Sequence, residues 1–176
     1  ARPYNPSLSE DPEYFEGIRM DHVSYGYEGR SKALQDISLT VPKGKTVALV
    51  GLSGCGKSTT ASLLMRFCDP LSGNIYIEGK DYCSMKPEAL RKHIAMVPQQ
   101  VNLFSGTIRE NLLLADPDAK DAALLEALEE AGLGVFTRSQ SKGLDSDVGN
   151  AGSSLSGGQR QKMGIARALL SKAEYM

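Results

Sequence analysis

The 176-residue sequence predicts an α/β fold: a core unit of strand, loop and helix carrying a small antiparallel sheet and a helical lobe. Three observations predict it. Short alternating or β-branched apolar runs dominate the first half of the chain, and helix-period apolar spacing dominates the second. Between them, a glycine-rich loop over residues 51–56 follows a Val-rich run and precedes a helix.

The elements follow in order. Residues 1–17 are rich in Pro, Ser, Glu and Asp without periodicity and read as a linker or arm. Residues 18–23 alternate apolar and polar, as a half-buried strand does, and a second strand is expected over 34–41. Pro42-Lys43-Gly44-Lys45 makes a turn. The continuous apolar run 46–50 reads as a buried strand, and the helix after the glycine loop covers 57–67. Asp69, Pro70 and Gly73 break the chain before a strand at 74–77. Pro87 opens a helix reaching His93, and 94–97 reads as a short strand ending at Pro98. From Thr107 the pattern is helical. Asp118 or Asp121 is expected to cap a helix whose apolar face includes Leu124, Leu125 and Leu128 and which stops at Gly132. Residues 139–157 are polar and rich in Gly and Ser, and a last helix covers 158–170.

Apolar residues make up 41% and charged residues 23%, as in an ordinary soluble domain. The net charge is −1, and no Lys/Arg run exceeds Arg91-Lys92, so no nucleic-acid partner is expected. Cys55, Cys68 and Cys83 are odd in number and lack metal spacing, which favours reduced thiols in a cytosolic setting. No apolar run approaches the roughly 18 residues of a membrane span. Any membrane part is expected on another segment or chain. The chain starts at Ala1 and stops at Met176 as a new apolar segment begins, so it reads as a fragment.

Gly51-Leu52-Ser53-Gly54-Cys55-Gly56-Lys57-Ser58 fits G-x-x-x-x-G-K-[ST], the phosphate-binding loop. Gly51, Gly54 and Gly56 are expected to take positive φ, so that backbone N–H groups of the loop, Ser53 and Cys55 included, can surround phosphate oxygens. The helix beginning near Lys57 presents its positive dipole end to the anion. Lys57 supplies an ammonium for the β- and γ-phosphates of ATP, Ser58 a hydroxyl for Mg²⁺, and Thr59 a contact to the α-phosphate. Cys55 needs only to be small, or is a reactive thiol beside the nucleotide. GTPases also need N-K-x-D and D-x-x-G motifs, and neither occurs.

Leu155-Ser156-Gly157-Gly158-Gln159 precedes the last helix with Ser156 near its N-cap, and a chance match to this pentapeptide is on the order of 1 in 5,000. With the phosphate loop it resembles the nucleotide-binding domain of ATP-binding cassette (ABC) proteins over residues 18–176. The resemblance implies an incomplete P-loop NTPase core, an antiparallel β subdomain and an α-helical signature subdomain, divided as 18–98, 99–160 and 161–176. Val23-Ser24-Tyr25-Gly26-Tyr27 resembles the adenine-stacking loop, with Tyr27 the expected ring and Tyr25 its rival. Val97-Pro98-Gln99 resembles the Q-loop, in which Gln99 would reach Mg²⁺ and the attacking water. Residues 103–111 and Ser146-Asp147-Val148-Gly149-Asn150-Ala151-Gly152 look like the post-Q-loop segment and x-loop of exporters, although exporters commonly have Glu where Asp147 stands.

In this family Ser156, Gly157, Gly158 and Gln159 of one domain close over the ATP of a second, head to tail. The Q-loop and x-loop regions meet the transmembrane domains at the cytoplasmic face. The resemblance also implies a Walker B Asp, a catalytic Glu and a switch His, and none is in this chain. His22 and His93 lie far from the switch position. The alternatives are a soluble ABC ATPase, which should carry coiled-coil or basic insertions, and a module that binds ATP without hydrolysing it.

Overall fold

The computed structural model describes residues 15–27 and 32–176, with Lys32 described by its backbone alone. The arm read over 1–17 lies outside the described residues for its first fourteen positions. The chain divides into two compact units, residues 1–94 and 95–176.

The first unit is built on a four-stranded antiparallel sheet of order β2-β1-β3-β4, comprising β1 (Gly17–Gly26), β2 (Lys32–Pro42), β3 (Ser72–Ile77) and β4 (Lys80–Asp81). Its buried side chains include Ile18, Met20, Val23, Ile75 and Ile77, so the alternation that predicted the strands marks the covered face. The β1–β2 ladder slips at three points, and at two of them His22 and Asp36 adopt left-handed backbone with φ 49° and 51°. Each of these two takes an N–H off the ladder, and a hydroxyl across the hairpin accepts it. His22 N–H donates to Ser38 Oγ at 3.0 Å and Asp36 N–H to Ser24 Oγ at 2.9 Å. Helices α1 (Lys57–Leu64) and α2 (Pro87–His93) complete the unit, burying Leu63 and Leu90.

The run 46–50 departs from expectation. It forms no strand, and Val47, Leu49 and Val50 are 43%, 46% and 93% exposed. A parallel-type strand needs hydrogen-bonded neighbours to be buried, and no strand pairs with this run among the described residues. Residues 94–97 likewise form no strand. One backbone bond, Ala95 N–H to the Tyr175 carbonyl at 2.8 Å, marks where such pairing begins.

The second unit is helical: α3 (Ile108–Leu113), α4 (Asp121–Glu130), α5 (Gly134–Ser139) and α6 (Gly157–Leu170). Leu112, Leu124, Leu128, Leu133, Met163 and Ala166 form one buried cluster. Two expectations fail here. Leu125 is 42% exposed, one residue off the face shared by Leu124 and Leu128. Neither Asp118 nor Asp121 caps α4 by its side chain. The Asp121 carboxylate is instead engaged by Arg109, which also donates to Asp145 Oδ1 at 2.7 Å. These bonds hold both carboxyls below, and the guanidinium above, their usual pKa ranges. Helix α5 went unread because its six residues present too short a period to detect.

Leu128→Ala should destabilise the protein by about 2–5 kcal/mol in urea unfolding, whereas Leu125→Ala should cost less than about 0.5 kcal/mol. Equal costs would contradict the packing register of α4. His22 Nδ1 lies 2.7 Å from Asp36 Oδ1, and that hydrogen bond, with the charge of Asp36, raises the imidazole above its usual 6.5. A raised folded pKa stabilises the hairpin below the unfolded value, and that stabilisation is lost as pH rises through the folded one. A histidine titration followed by NMR should place His22 above 6.5 in the wild type and lower it in Asp36→Asn.

Candidate functional site

The loop 51–56 lies between the run 46–50 and α1. Residues 51–55 and Ser58 are exposed, Lys57 is half-buried and Gly56 is buried. Gly54 and Gly56 take φ 82° and 97°. Gly56 is also confined, since a Cβ there would lie 2.4 Å from Leu34 Cδ2 and 2.9 Å from the Ala33 carbonyl oxygen. Gly51 does not take positive φ, contrary to expectation. Its lack of a side chain matters for space, because a Cβ would meet Cys55 Sγ at 2.6 Å.

The N–H groups of Gly54, Gly56, Lys57, Ser58 and Thr59 have no hydrogen-bond acceptor among the described residues. A helix start leaves such donors free, and the loop extends the set. Lys57 Nζ donates to the carbonyl oxygens of Gly51 and Leu52, both at 2.8 Å, with Cys55 Sγ at 3.5 Å. An ammonium and five unused amides within six residues form a cradle for a polyanion. A triphosphate therefore fits the residues present. Among the described residues no cluster of three or more His, Cys, Asp or Glu could hold a metal. Mg²⁺ fits only as an ion carried largely by phosphate oxygens and water, with Ser58 as a protein oxygen ligand.

Tyr27 follows β1 and is 47% exposed. Its hydroxyl lies 3.3 Å from Thr59 Oγ1, and its ring meets Tyr25 edge-on with centroids 5.1 Å apart. The Tyr25 hydroxyl is engaged by the Cys68 side chain, which raises the phenol above its usual pKa. Tyr27 is the more exposed of the two rings, and it sits beside the helix that begins at the phosphate loop.

The second unit holds the other predicted residues. Ser156 is the N-cap of α6. Its Oγ accepts from Gln159 N–H at 3.2 Å, and Gln159 Oε1 accepts from Ser156 N–H at 2.8 Å, a complete capping box. Ser156, Gly157 and Gly158 are exposed, and the N–H groups of Gly157 and Gly158 have no acceptor among the described residues. The S-x-x-Q pattern for this box was present in the sequence and went unread. Gln99 is exposed, on a segment tied to α6 by Gln161 Nε2 donating to the Pro98 carbonyl at 3.3 Å.

The two exporter-like stretches lie side by side. Ile108 N–H donates to the Ser146 carbonyl at 3.0 Å, Val148 N–H to that of Gly106 at 2.9 Å, and Ser105 Oγ lies 3.1 Å from Asn150 Oδ1. Asp147 is exposed, with its carboxylate accepting from Gly149 N–H at 2.5 Å. A carboxylate one methylene shorter than Glu therefore closes its own loop here. Sequence reasoning missed Arg167, which binds backbone carbonyls of the 102–111 segment.

A protein-family model described as ABC transporter matches residues 34–176. The chain belongs to the ABC transporter family. It is 41% identical, over 99% of its length, to ABC transporter B family member 1 of Arabidopsis thaliana, of which it covers 14%. It is 46% identical, over 90% of its length, to the ATP-dependent lipid A-core flippase of Haemophilus ducreyi, of which it covers 28%. Its fold matches a bacterial Atm1-family ABC exporter solved with ATP bound, at a TM-score of 0.86 and 35% identity, over 94% of this chain and 30% of that one. The chain therefore spans less than a third of each of these ABC transporter relatives. Domains of the ABC transporter family bind ATP and act as ATPases. Among the described residues no helix is long and apolar enough to cross a membrane.

Ser156→Ala should cost about 0.5–2 kcal/mol in urea unfolding, because it orphans the Gln159 amide, and Ser156→Gly only a few tenths. Equal stability of wild type and both variants would contradict the cap.

Proposed function

We propose that this chain is the ATP-binding motor domain of an ABC exporter and couples ATP binding and hydrolysis to movement of a substrate across a membrane. The observation that carries the reading is the cradle of residues 51–59: free amides around a lysine whose ammonium occupies backbone carbonyls of its own loop. A triphosphate gives Lys57 a stronger acceptor than two neutral carbonyls, so binding exchanges weak bonds for charge-assisted ones. The backbone N–H groups of residues 51–56, those of Ser53 and Cys55 among them, surround the β-phosphate, and the start of α1 adds its dipole. Ser58 is the protein ligand to Mg²⁺, which neutralises charge on the β- and γ-phosphates. Thr59 contacts the α-phosphate. Tyr27 stacks on the adenine, and its hydroxyl bond to Thr59 keeps the ring next to the phosphate site.

The remaining assignments belong to the second unit and to other chains. Gln99 senses the γ-phosphate through Mg²⁺ and the attacking water. Ser156, Gly157, Gly158 and Gln159 form the lid over the ATP of a second nucleotide-binding domain in a head-to-tail dimer. The exposed amides of Gly157 and Gly158 support this, since a helix N-terminus with free donors accepts a γ-phosphate from a partner. The adjacent 104–108 and 146–150 segments face transmembrane domains at the cytoplasmic side of a membrane. We assign residues 18–98 to the β subdomain and phosphate-loop core, 99–160 to the helical subdomain and 161–176 to the rest of the signature helix and the segment after it.

In the full-length protein, Lys57→Ala should weaken ATP binding by about 10- to 100-fold, and Tyr27→Ala by about 5- to 150-fold, both by equilibrium titration. Unchanged affinity in Lys57→Ala would falsify the site assignment. Alkylation of the exposed Cys55 by a bulky maleimide should block ATP binding, with ATP protecting. Alkylated protein that binds ATP normally would place Cys55 outside the site.

A further inference from the structure

Helix α6 carries the exposed Ser156 end and also a face devoted to a single neighbour. Gln161, Gly164 and Arg167 recur at i, i+3 and i+6, so they share one side of the helix. Gln161 holds the Pro98 carbonyl. Gly164 lets the segment close in, because a Cβ there would stand 2.6 Å from Val101 Cγ2 and 3.4 Å from Val97 Cγ1. Arg167, about 16 Å along the helix from Ser156 at 1.5 Å per residue, makes three bonds. Its Nη1 donates to the Asn102 carbonyl at 2.9 Å, its Nε to the Asn111 carbonyl at 2.8 Å and its Nη2 to Asn111 Oδ1 at 2.5 Å.

Asn111 is 1% exposed and organises the loop before it. Its Nδ2 donates to the carbonyls of Phe104 and Thr107, both at 2.9 Å, and its Oδ1 accepts from Phe104 N–H at 2.9 Å. The same loop carries the ladder to the 146–150 segment. No carboxylate among the described residues neutralises Arg167. Its half-buried guanidinium is held by oxygens of this one segment, and burial lowers its pKa. A side chain needed only to fill space would be apolar, since a buried cation costs desolvation. The planar fork spreads its donors over three nitrogens and so spans oxygens that the single nitrogen of an ammonium cannot reach in the same geometry.

We propose that Arg167 is a positioning residue that couples the signature end of α6 to the loop following Gln99, so that ATP engaged at Ser156 repositions residues 102–107 and the 146–150 loop paired with them. The proposal rests on the motor-domain reading above. Its signal path is continuous within one unit: the Ser156 cap, α6, the Arg167 guanidinium, Asn111, then the loop.

Hydrogen exchange of the full-length transporter with and without saturating Mg-ATP tests it. In the wild type, ATP should slow exchange at both 155–160 and 102–107. Arg167→Met should keep the response at 155–160 and lose the response at 102–107 by about tenfold or more. Asn111→Ala should behave alike, and the double variant should lose no more than either single one. Arg167→Lys should fail like the Met variant, since it keeps the charge without the fork. The proposal is overturned by an intact 102–107 response in Arg167→Met, by full rescue in the Lys variant, or by additive losses. It is also overturned if both responses vanish together, because Arg167 would then serve only stability. A wild type whose 155–160 amides ignore ATP would overturn the motor reading itself and this inference with it.

Discussion

A lysine ammonium resting on two carbonyls of its own loop is a low-energy arrangement only until a better acceptor arrives. Lys57 is held in this way by Gly51 and Leu52, while the amides of Gly54, Gly56 and the start of α1 lack acceptors among the described residues. Buried, such a set would be costly, since every orphaned N–H forfeits the hydrogen bond it makes to water. Exposed, it is satisfied by solvent and ready for exchange. The solvent exposure of residues 51–55 therefore keeps the loop open to exchange of partners, and the left-handed Gly54 and Gly56 are the backbone that shapes it.

The second unit uses the same device with a different balance. Ser156 and Gln159 satisfy each other's backbone at the start of α6, which leaves Gly157 and Gly158 as the free donors. The capping box fixes the helix start, so the donors are pre-organised and little ordering entropy remains for a partner to overcome. The two glycines keep the approach open, since no side chain of theirs screens the amides. The two helix starts thus differ in charge, since α1 carries the Lys57 ammonium and α6 offers only neutral amides.

Much of this was legible in the sequence because the motifs are local. The phosphate loop, the Ser156 cap and the strands of the hairpin depend on spacing within about ten residues, where residue type dictates backbone geometry. Failures trace to partners that spacing does not reveal. The 46–50 run has the composition of a buried strand, yet burial is a property of its neighbours, and none pairs with it here. Leu125 fits a generous apolar stripe, but the 100° step of the helix turns it away from the core. Asp121 had the chemistry of a cap and was drawn to Arg109 instead. Gln161, Gly164 and Arg167 carry no local signal that residues 97–111 cover them.

Arg109 and Arg167, both in the helical unit, show why burial, more than charge, decides which contact carries mechanical consequence. Arg109 has two carboxylate partners, and Asp121 and Asp145 stand in water, where screening and side-chain entropy leave such pairs a small net contribution. It can lose one partner and recover solvent. Arg167 has no carboxylate partner among the described residues and is half-buried among oxygens of one segment, so water replaces only part of what it would lose. Moving the 102–111 segment away from α6 would break all three bonds of the guanidinium at once. The two elements consequently respond to force as one piece, and a displacement at either end of α6 has a stiff route to the other.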